Sequence, residues 1–423
     1  MVPALAVCRN AARLLLAAAA LFPAAASRAQ PLTLEEALKA GEALSPALAA
    51  QRYAIDAAGH QLGRATELPD PRLRFGIENL PVTGADRLRY DRDFMTARAI
   101  GVMQEFPNPA KRAARGERAA RLHEVEQANL AAQRVLLRRD VAIAWLELHY
   151  AQRARDALAR VAGEYALQID AVAAGIARGR QTAADSYTLR ALQEQANDRV
   201  IEQERIVSRA RIALAALIGE AANRELAAPP DVAQLAPSGE ALLARLAAQP
   251  LLRVYDERES LARAEAGLAR ATRNPDWSVE LSYGQRSPLF DNMLSVMFAI
   301  DLPVNKERRQ DKDVASRVAE IDQTRARREE ARRQYKAEAR GLLADHDAAR
   351  RRLGRIEAVL LPLERERVQA TFAAYRGGRG ELGPVLEAQR AVAEAELARV
   401  QAQAARARAW AGLSFLFPDE VPQ

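Results

Sequence analysis

Residues 277–284 read WSVELSYG, so that large apolar side chains alternate with small or polar ones. After a turn at Ser287-Pro288, residues 294–302 read LSVMFAIDL and alternate in the same way. Successive side chains of a β-strand point to opposite faces, and each run therefore predicts a strand with one apolar face. About ten residues of such alternation are typical of a strand that crosses an outer membrane. A half-buried hairpin on a soluble domain gives the same pattern, so the alternation alone leaves both open.

Two segments earlier in the chain repeat this pattern. Residues 73–77 alternate clearly, whereas residues 100–106 do so less cleanly because Gln104 falls on the apolar side. If the apolar face meets lipid and the polar face meets water, the candidate lipid-facing residues are Trp277, Val279, Leu281 and Phe298. The candidate lumen-facing residues are Glu78, Glu105, Glu280 and Asp301, acids that would bias a pore toward cations.

The features around these strands occur twice in the same order. Pro107 precedes Gly179 by 72 residues, and Pro303 precedes Gly378 by 75. A further helix-ending residue follows each glycine after 40 residues, Gly219 in the first half and Pro418 in the second. Each half reads helix, strand, strand, very long helix, break and long helix. A helix over 111–179 would reach about 100 Å at about 1.5 Å per residue, far beyond the needs of a compact domain.

The chain therefore divides into two similar halves with short flanking segments. Residues 1–29 have the order of a cleavable secretory signal: Arg9 and Arg13 precede an apolar run, and small residues with a third arginine, Arg28, follow it. The predicted divisions are a signal at 1–29, repeat 1 at 30–220 (strands about 70–80 and 95–106), a linker at 221–238, repeat 2 at 239–418 (strands about 276–285 and 292–302) and a tail at 419–423. The formal charge of +7 drops to +4 without the three arginines of the signal, so it does not call for nucleic acid.

Four strands cannot close a barrel alone, and an open sheet leaves two bare edges. Three copies would supply twelve strands and abolish those edges. The predicted fold class is therefore mostly α with a small β part: a trimeric β-barrel continued by a long antiparallel helical barrel. The alternatives are an exported coiled-coil scaffold or periplasmic adaptor without a pore, and an intracellular helical protein that binds nucleic acid.

Several motifs resemble those of the outer-membrane factors of the TolC type. They are Leu-Pro-Asp-Pro at 68–71, Gly-Ile-Glu-Asn-Leu-Pro at 76–81, Gln-Glu-Phe-Pro at 104–107, Tyr-Arg-Gly-Gly at 375–378 and Leu-Glu-Ala-Gln at 386–389. The motif at 76–81 most resembles that of the branch that exports cobalt, zinc, cadmium, copper or silver. The resemblance implies a homotrimeric outer-membrane channel of a Gram-negative bacterium that extends into the periplasm, in contact with outer-membrane lipid. It would be a passive exit duct for heavy-metal cations and not an enzyme. Its partners would be a periplasmic adaptor (membrane fusion) protein and an inner-membrane resistance-nodulation-division pump.

The same resemblance places a gate and adaptor contact at the ends of the long helices. Its candidates are Gly179, Asp185, Tyr375, Gly378, Arg379 and Glu387. Glycine tolerates the positive φ that a helix reversal needs, although an ordinary hairpin turn needs it equally. Pro384 departs from the family, because relatives often carry an acid at that place.

The sequence offers no sign of catalysis or cofactor chemistry. The four histidines lie far apart, and the sequence contains no phosphate-binding Gly-Lys-Ser/Thr loop and no nucleophile elbow. The only cysteine, Cys8, precedes the apolar run of the signal. We therefore predict a protein that is not an enzyme and has no cofactor and no metal site of its own.

Overall fold

A computed structural model describes residues 30–177, 181–232, 241, 244 and 249–415. The predicted signal at 1–29 and Gly179 lie outside these residues. The described chain is mostly helical and carries one antiparallel sheet of four strands, as the sequence predicts. The elements are α1 (Leu34–Leu44), α2 (Pro46–Arg64), β1 (Arg72–Glu78), β2 (Ala97–Phe106), α3 (Pro109–Ile176), α4 (Ala183–Ile218), α5 (Pro250–Ala271), β3 (Trp277–Gln285), β4 (Met293–Ile300), α6 (Gln310–Arg355), α7 (Leu361–Arg376) and α8 (Leu382–Ser414).

Local signals fix where the helices begin. Thr33 closes a capping box with Glu36 at the start of α1, and Ser45 caps α2 directly before Pro46. Asn108 accepts a hydrogen bond from the backbone of Ala110 at the start of α3. That helix runs for 68 residues, which corresponds to about 100 Å.

The sheet and the helices beneath it share one order. The strands are arranged β1-β2-β3-β4, each antiparallel to its neighbour. The helices nearest the sheet, which form the upper part of the layer, pack in the order α2, α3, α5, α6. Each strand is joined at the same end to the helix in the corresponding place. The sheet is therefore a direct continuation of the helical layer.

The lower part of the layer uses different partners. There α3 packs between α4 and α8, and α8 in turn packs against α7. The largest core cluster lies where the upper and lower parts meet, and it is built on Trp145, Trp410 and Phe415. The Trp145 indole N–H donates to the carbonyl oxygen of Leu32 at 3.2 Å, which ties the first described segment to the middle of α3.

One irregular turn interrupts the second long helix. The sequence predicts an unbroken helix here, whereas residues Ile356–Leu360 form a π-helical turn between α6 and α7. The N–H of Leu361 bonds to the carbonyl of Ile356, five residues earlier. Pro362 has no N–H to donate and its ring crowds the preceding turn, which explains why the helix widens at this place.

Among the helices of the described residues, none is both long and apolar enough to cross a lipid bilayer.

Candidate functional site

The strand register places the branched aliphatic and aromatic side chains of the strands on one face of the sheet. Across the sheet, Val102 pairs with Leu281 and Leu281 with Val296, and the rows above and below repeat this composition. The four candidate lipid-facing residues lie on this face. Phe298 is 70% exposed and Leu281 50% exposed, although both are large hydrophobic residues. An apolar surface of this size needs a cover other than water.

Two aromatic side chains form the edge of this apolar face at the end nearest the helices. The rings of Phe106 and Trp277 stack with centroids 4.2 Å apart and planes inclined by 14°. Gln104, the polar residue in the apolar row above them, donates its side-chain N–H to the carbonyl oxygen of Pro69 at 2.8 Å. Its amide is therefore satisfied locally, which makes its position on the apolar face tolerable.

The opposite face is polar and carries charges of both signs. The candidate lumen-facing acids Glu105 and Glu280 lie on it. Glu105 pairs with Ser278, and Glu280 pairs with Met103. Arg74 Nη1 lies 2.8 Å from Glu280 Oε2, and an Arg72 nitrogen lies 4.0 Å from Glu105. Sequence reasoning recognised the acids but missed these arginine partners, because each pair joins two different strands.

The remaining two acids of that group lack such partners. Within the described ranges, neither Glu78 nor Asp301 has an ion-pair partner within 4.0 Å. Glu78 ends β1, and Asp301 directly follows β4 with its backbone N–H bonded to the carbonyl oxygen of Asp276 at 2.9 Å. The four acids therefore do not form one cluster but lie at different levels of the polar face.

A buried carboxylate joins the two halves where the sheet meets the helices. Asp276 accepts a hydrogen bond from the backbone N–H of Asn108 at 2.8 Å, and its other oxygen binds Lys111 Nζ. Burial opposes ionisation, but these two donors outweigh it and hold the pKa of Asp276 below its ordinary value. The sequence signals only an Asn-Pro-Asp turn here, so this junction was missed.

The far ends of the long helices bring several gate candidates near one another. Asp185 closes a capping box with Thr182, whose backbone N–H and hydroxyl both donate to its carboxylate at 2.9 and 2.8 Å. Tyr375 Oη, near the end of α7, accepts a hydrogen bond from Gln181 Nε2. Gln181 thus joins the two hairpin ends of one chain, a contact that no sequence pattern indicates.

A glycine is required at each of the two hairpin ends. Gly378 has φ +70° and its N–H bonds to the carbonyl of Tyr375 at 3.0 Å, so the positive φ predicted for the reversal is present. In the other hairpin, a Cβ on Gly175 would lie 2.1 Å from Gln181 Oε1. Glycine at 175 therefore leaves the space that the Gln181 side chain occupies.

The other gate candidates lie on the exposed rim of the same end. Glu387 lies 3.9 Å from an Arg367 nitrogen and its side chain is highly exposed. The backbone N–H of Arg379 bonds to the carbonyl of Ala374 at 3.0 Å, and within the described residues its guanidinium has no carboxylate within 4.0 Å. In the part of the chain that the structure describes, no three His, Cys, Asp or Glu side chains converge as metal ligands.

Comparison with known proteins finds similarity in sequence and in fold. Residues 243–417 match the family model described as "Outer membrane efflux protein". The match covers the second half of the chain. The chain is 26% identical over 378 residues to the cobalt-zinc-cadmium resistance protein CzcC of Cupriavidus metallidurans, covering 87% of this chain and 86% of that protein.

Solved structures share the fold. A membrane protein from Pseudomonas aeruginosa superposes with a TM-score of 0.75 at 22% identity, covering 90% of this chain and 93% of that one. The outer membrane protein VceC of Vibrio cholerae superposes with a TM-score of 0.73 at 18% identity, covering 90% and 95%. Both likenesses extend over nearly the whole described chain, so the sheet and the long helices belong to one shared architecture.

Proposed function

We propose that this chain is the outer-membrane channel of a tripartite efflux system, a homotrimer with a twelve-stranded barrel and a helical tunnel in the periplasm. One observation carries the proposal: a four-stranded sheet exposes an entire apolar face and continues into helices about 100 Å long. A soluble scaffold or adaptor would have to leave that face in water, which is unfavourable.

Closure of the barrel follows from the free edges of the sheet. In the described chain, β1 pairs only with β2 and β4 only with β3, so each outer strand has a row of unpaired backbone groups. Such groups cannot remain unpaired in a bilayer. Pairing β4 of one copy with β1 of the next, in three copies, satisfies all of them and gives twelve strands.

The family supports the partners, and the similarity to CzcC supports the substrate. We infer a periplasmic adaptor and an inner-membrane resistance-nodulation-division pump as partners, and heavy-metal cations as the substrates that pass through the channel. The localisation that fits is the outer membrane of a Gram-negative bacterium, with the helices in the periplasm. No catalytic step is required, because the channel is a passive exit.

The helix ends around Gly179 and Gly378 are proposed as the gate and the adaptor contact. The contact between Gln181 and Tyr375 supports a closed tip, since it holds the two hairpins of one chain together. Asp185, Arg379 and Glu387 are proposed to face neighbouring copies or the adaptor. Arg379 and Glu387 are exposed and Asp185 is half-buried, so a partner can reach the first two directly.

Disulfide formation between copies tests the trimer and its barrel. The only natural cysteine is Cys8, in the predicted signal, so introduced pairs report directly. Cysteines at Arg72, Arg74 or Gly76 in β1 are combined with cysteines at Ser295 or Met297 in β4. We expect one of these pairs to yield a covalent trimer in outer-membrane fractions. The single-cysteine variants are controls because they cannot link beyond a dimer.

Two results would contradict the proposal. Recovery of the protein as a soluble monomer after osmotic release would favour the exported scaffold. Absence of any covalent trimer from every pair would exclude closure through β1 and β4. The substrate is tested separately: deletion of the gene is expected to lower tolerance to cobalt, zinc or cadmium, while tolerance that falls only for organic compounds would overturn the metal assignment.

A further inference from the structure

The apolar face of the sheet ends in a single charged residue. Among the described strands, Arg98 is the only charged residue on that face, and it lies in register with Ile77 and Gln285 at the end farthest from the helices. The next row toward the helices, with Ile100 and Tyr283, is apolar or aromatic. The chain therefore places a guanidinium at the upper border of the surface proposed to meet lipid.

The loop between β1 and β2 folds down over this arginine. The Arg98 Cζ lies 4.7 Å from the centroid of the Tyr90 ring, so Tyr90 lies on the same side of the sheet as Arg98. The base of the loop is fixed by a hydrogen bond from the hydroxyl of Thr96 to the carbonyl of Asn79 at 2.9 Å. Leu88, two residues before Tyr90, is exposed and has a positive φ of 59°. The loop thus places an aromatic ring over the cation and carries an exposed leucine close by in the sequence.

Arg98 lacks an anionic partner within the described residues, as do the loop arginines Arg87, Arg89 and Arg92. None of the four has a carboxylate oxygen within 4.0 Å. On the opposite face, Arg74 is paired with Glu280 at 2.8 Å. A guanidinium at the border of an apolar surface loses hydration, so an anion that approaches it there binds more strongly than in open water.

The height of Arg98 indicates where such an anion lies. Eight residues separate the Phe106 row from the Arg98 row, which corresponds to about 27 Å along a strand and about 20 Å along the membrane normal at a tilt of about 40°. The apolar band of outer-membrane barrels is about 25 Å tall and is flanked by aromatic girdles. Phe106 and Trp277 mark the lower border, and Tyr283 and Tyr90 lie at the upper one.

We propose that Arg98 and Tyr90 form a binding site for the phosphorylated headgroup of an outer-leaflet lipid. The inference rests on the proposed outer-membrane barrel and goes beyond it, since it assigns a specific lipid contact. The guanidinium supplies two parallel N–H donors for phosphate oxygens, while Tyr90 holds it in place and Leu88 packs beside the upper acyl carbons. Free phosphate would gain only the first of these contacts.

Lipid binding to the purified trimer tests the site. Trimer in mild detergent is incubated with bisphosphorylated lipid A, and bound lipid is counted by native mass spectrometry. Arg98→Gln is expected to lower the affinity about tenfold, the effect of one charge-assisted contact. Arg74→Gln, on the opposite face, is the matched control and is expected to bind like the parent. Dephosphorylated lipid A should bind the parent no better than Arg98→Gln binds the phosphorylated form.

The outcomes separate this site from the barrel proposal. Equal lipid A binding by trimeric parent and trimeric Arg98→Gln would overturn the headgroup site while leaving the barrel intact. Displacement of lipid A by millimolar inorganic phosphate would also overturn it, because the site would then recognise free phosphate. A parent protein that forms no trimer and binds no lipid would overturn both proposals. Arg98→Leu provides a second test, since leucine suits a lipid-facing position and is expected to preserve the trimer.

Discussion

Gln181 donates a hydrogen bond from its side-chain nitrogen to the hydroxyl oxygen of Tyr375, across a separation of 194 residues. Gln181 directly precedes the cap of α4, and Tyr375 lies in the last turn of α7, so this bond joins the two hairpin ends of one chain. The phenolic hydrogen remains available to a further acceptor. One such contact in each copy can hold a closed end together and still yield to a bound partner.

Weakening this contact is expected to open the tip. Gly175→Ala places a Cβ where Gln181 Oε1 lies and so displaces the side chain that reaches Tyr375. We expect higher single-channel conductance in planar bilayers for Gly175→Ala and for Tyr375→Phe. Gly163→Ala is the matched control, since it lies in the same helix and its Cβ would meet no atom within 4 Å. Parental conductance in both test variants would show that other residues hold the gate.

The junction at Asp276 is expected to matter for stability. Lys111→Met leaves the buried carboxylate without its cation and is expected to cost about 3 kcal/mol, the loss typical of breaking a buried pair. Lys39→Met removes an exposed pair with Glu35 and is expected to leave the stability of the trimer unchanged. The measurement is the temperature at which the purified trimer dissociates. Equal shifts for both variants would contradict the role of Asp276.

The sequence predicted what depends on local pattern. Alternation predicted the four strands and the face on which Leu281 and Phe298 lie, because the period of two is a property of the strand itself. Helix breaks were visible because glycine and proline act on their own backbone. The π turn before Pro362 was nevertheless missed, because a proline inside a long helical pattern can distort the helix without ending it.

Contacts between distant segments could not be predicted in the same way. Arg74 meets Glu280, and Gln181 meets Tyr375, only because the strand order and the helix packing bring them together. The same holds for Asp185, a gate candidate whose carboxylate is engaged by Thr182 within its own helix cap. Whether Asp185 also meets a neighbouring copy stays a prediction.

Charge on the apolar face is expected to be far more harmful than charge on the polar face. Leu281 lies in the middle row of the sheet, and Leu281→Lys is expected to destabilise the barrel by about 2–4 kcal/mol, as for a lysine at the bilayer midplane. Ser282→Lys, the next residue on the opposite face, is expected to be tolerated. Denaturant titration in lipid vesicles measures both. Equal costs would mean that lipid does not cover the apolar face.

Acidification is expected to destabilise the helical layer through His346. This histidine is buried in α6, and its Nε2 lies 3.4 Å from the carbonyl oxygen of Val232. Burial lowers the pKa of His346, so the folded state binds fewer protons than the unfolded state and loses stability as the pH falls below about 6.5.

Melting curves between pH 7.5 and 5.5 test this dependence. His346→Gln keeps a donor for the Val232 carbonyl and is expected to reduce the drop in melting temperature. His149, whose pKa burial also lowers, would account for the remaining slope. His60→Gln, at an exposed histidine, is the control variant. An unchanged drop in His346→Gln would exclude His346 as its source.

Removing Arg74 is expected to make the channel more selective for cations. Arg74 neutralises Glu280 on the polar face, so Arg74→Gln leaves one more uncompensated carboxylate per copy facing the proposed lumen. A unit charge about 10 Å from an ion in water contributes about 0.4 kcal/mol, which corresponds to about a twofold change in ion occupancy. The reversal potential in a potassium chloride gradient at low salt measures this shift, because screening is then weak. Arg98→Gln removes the same charge from the opposite face and is expected to leave the reversal potential unchanged. Equal shifts in the two variants would contradict the assignment of the two faces to lumen and lipid.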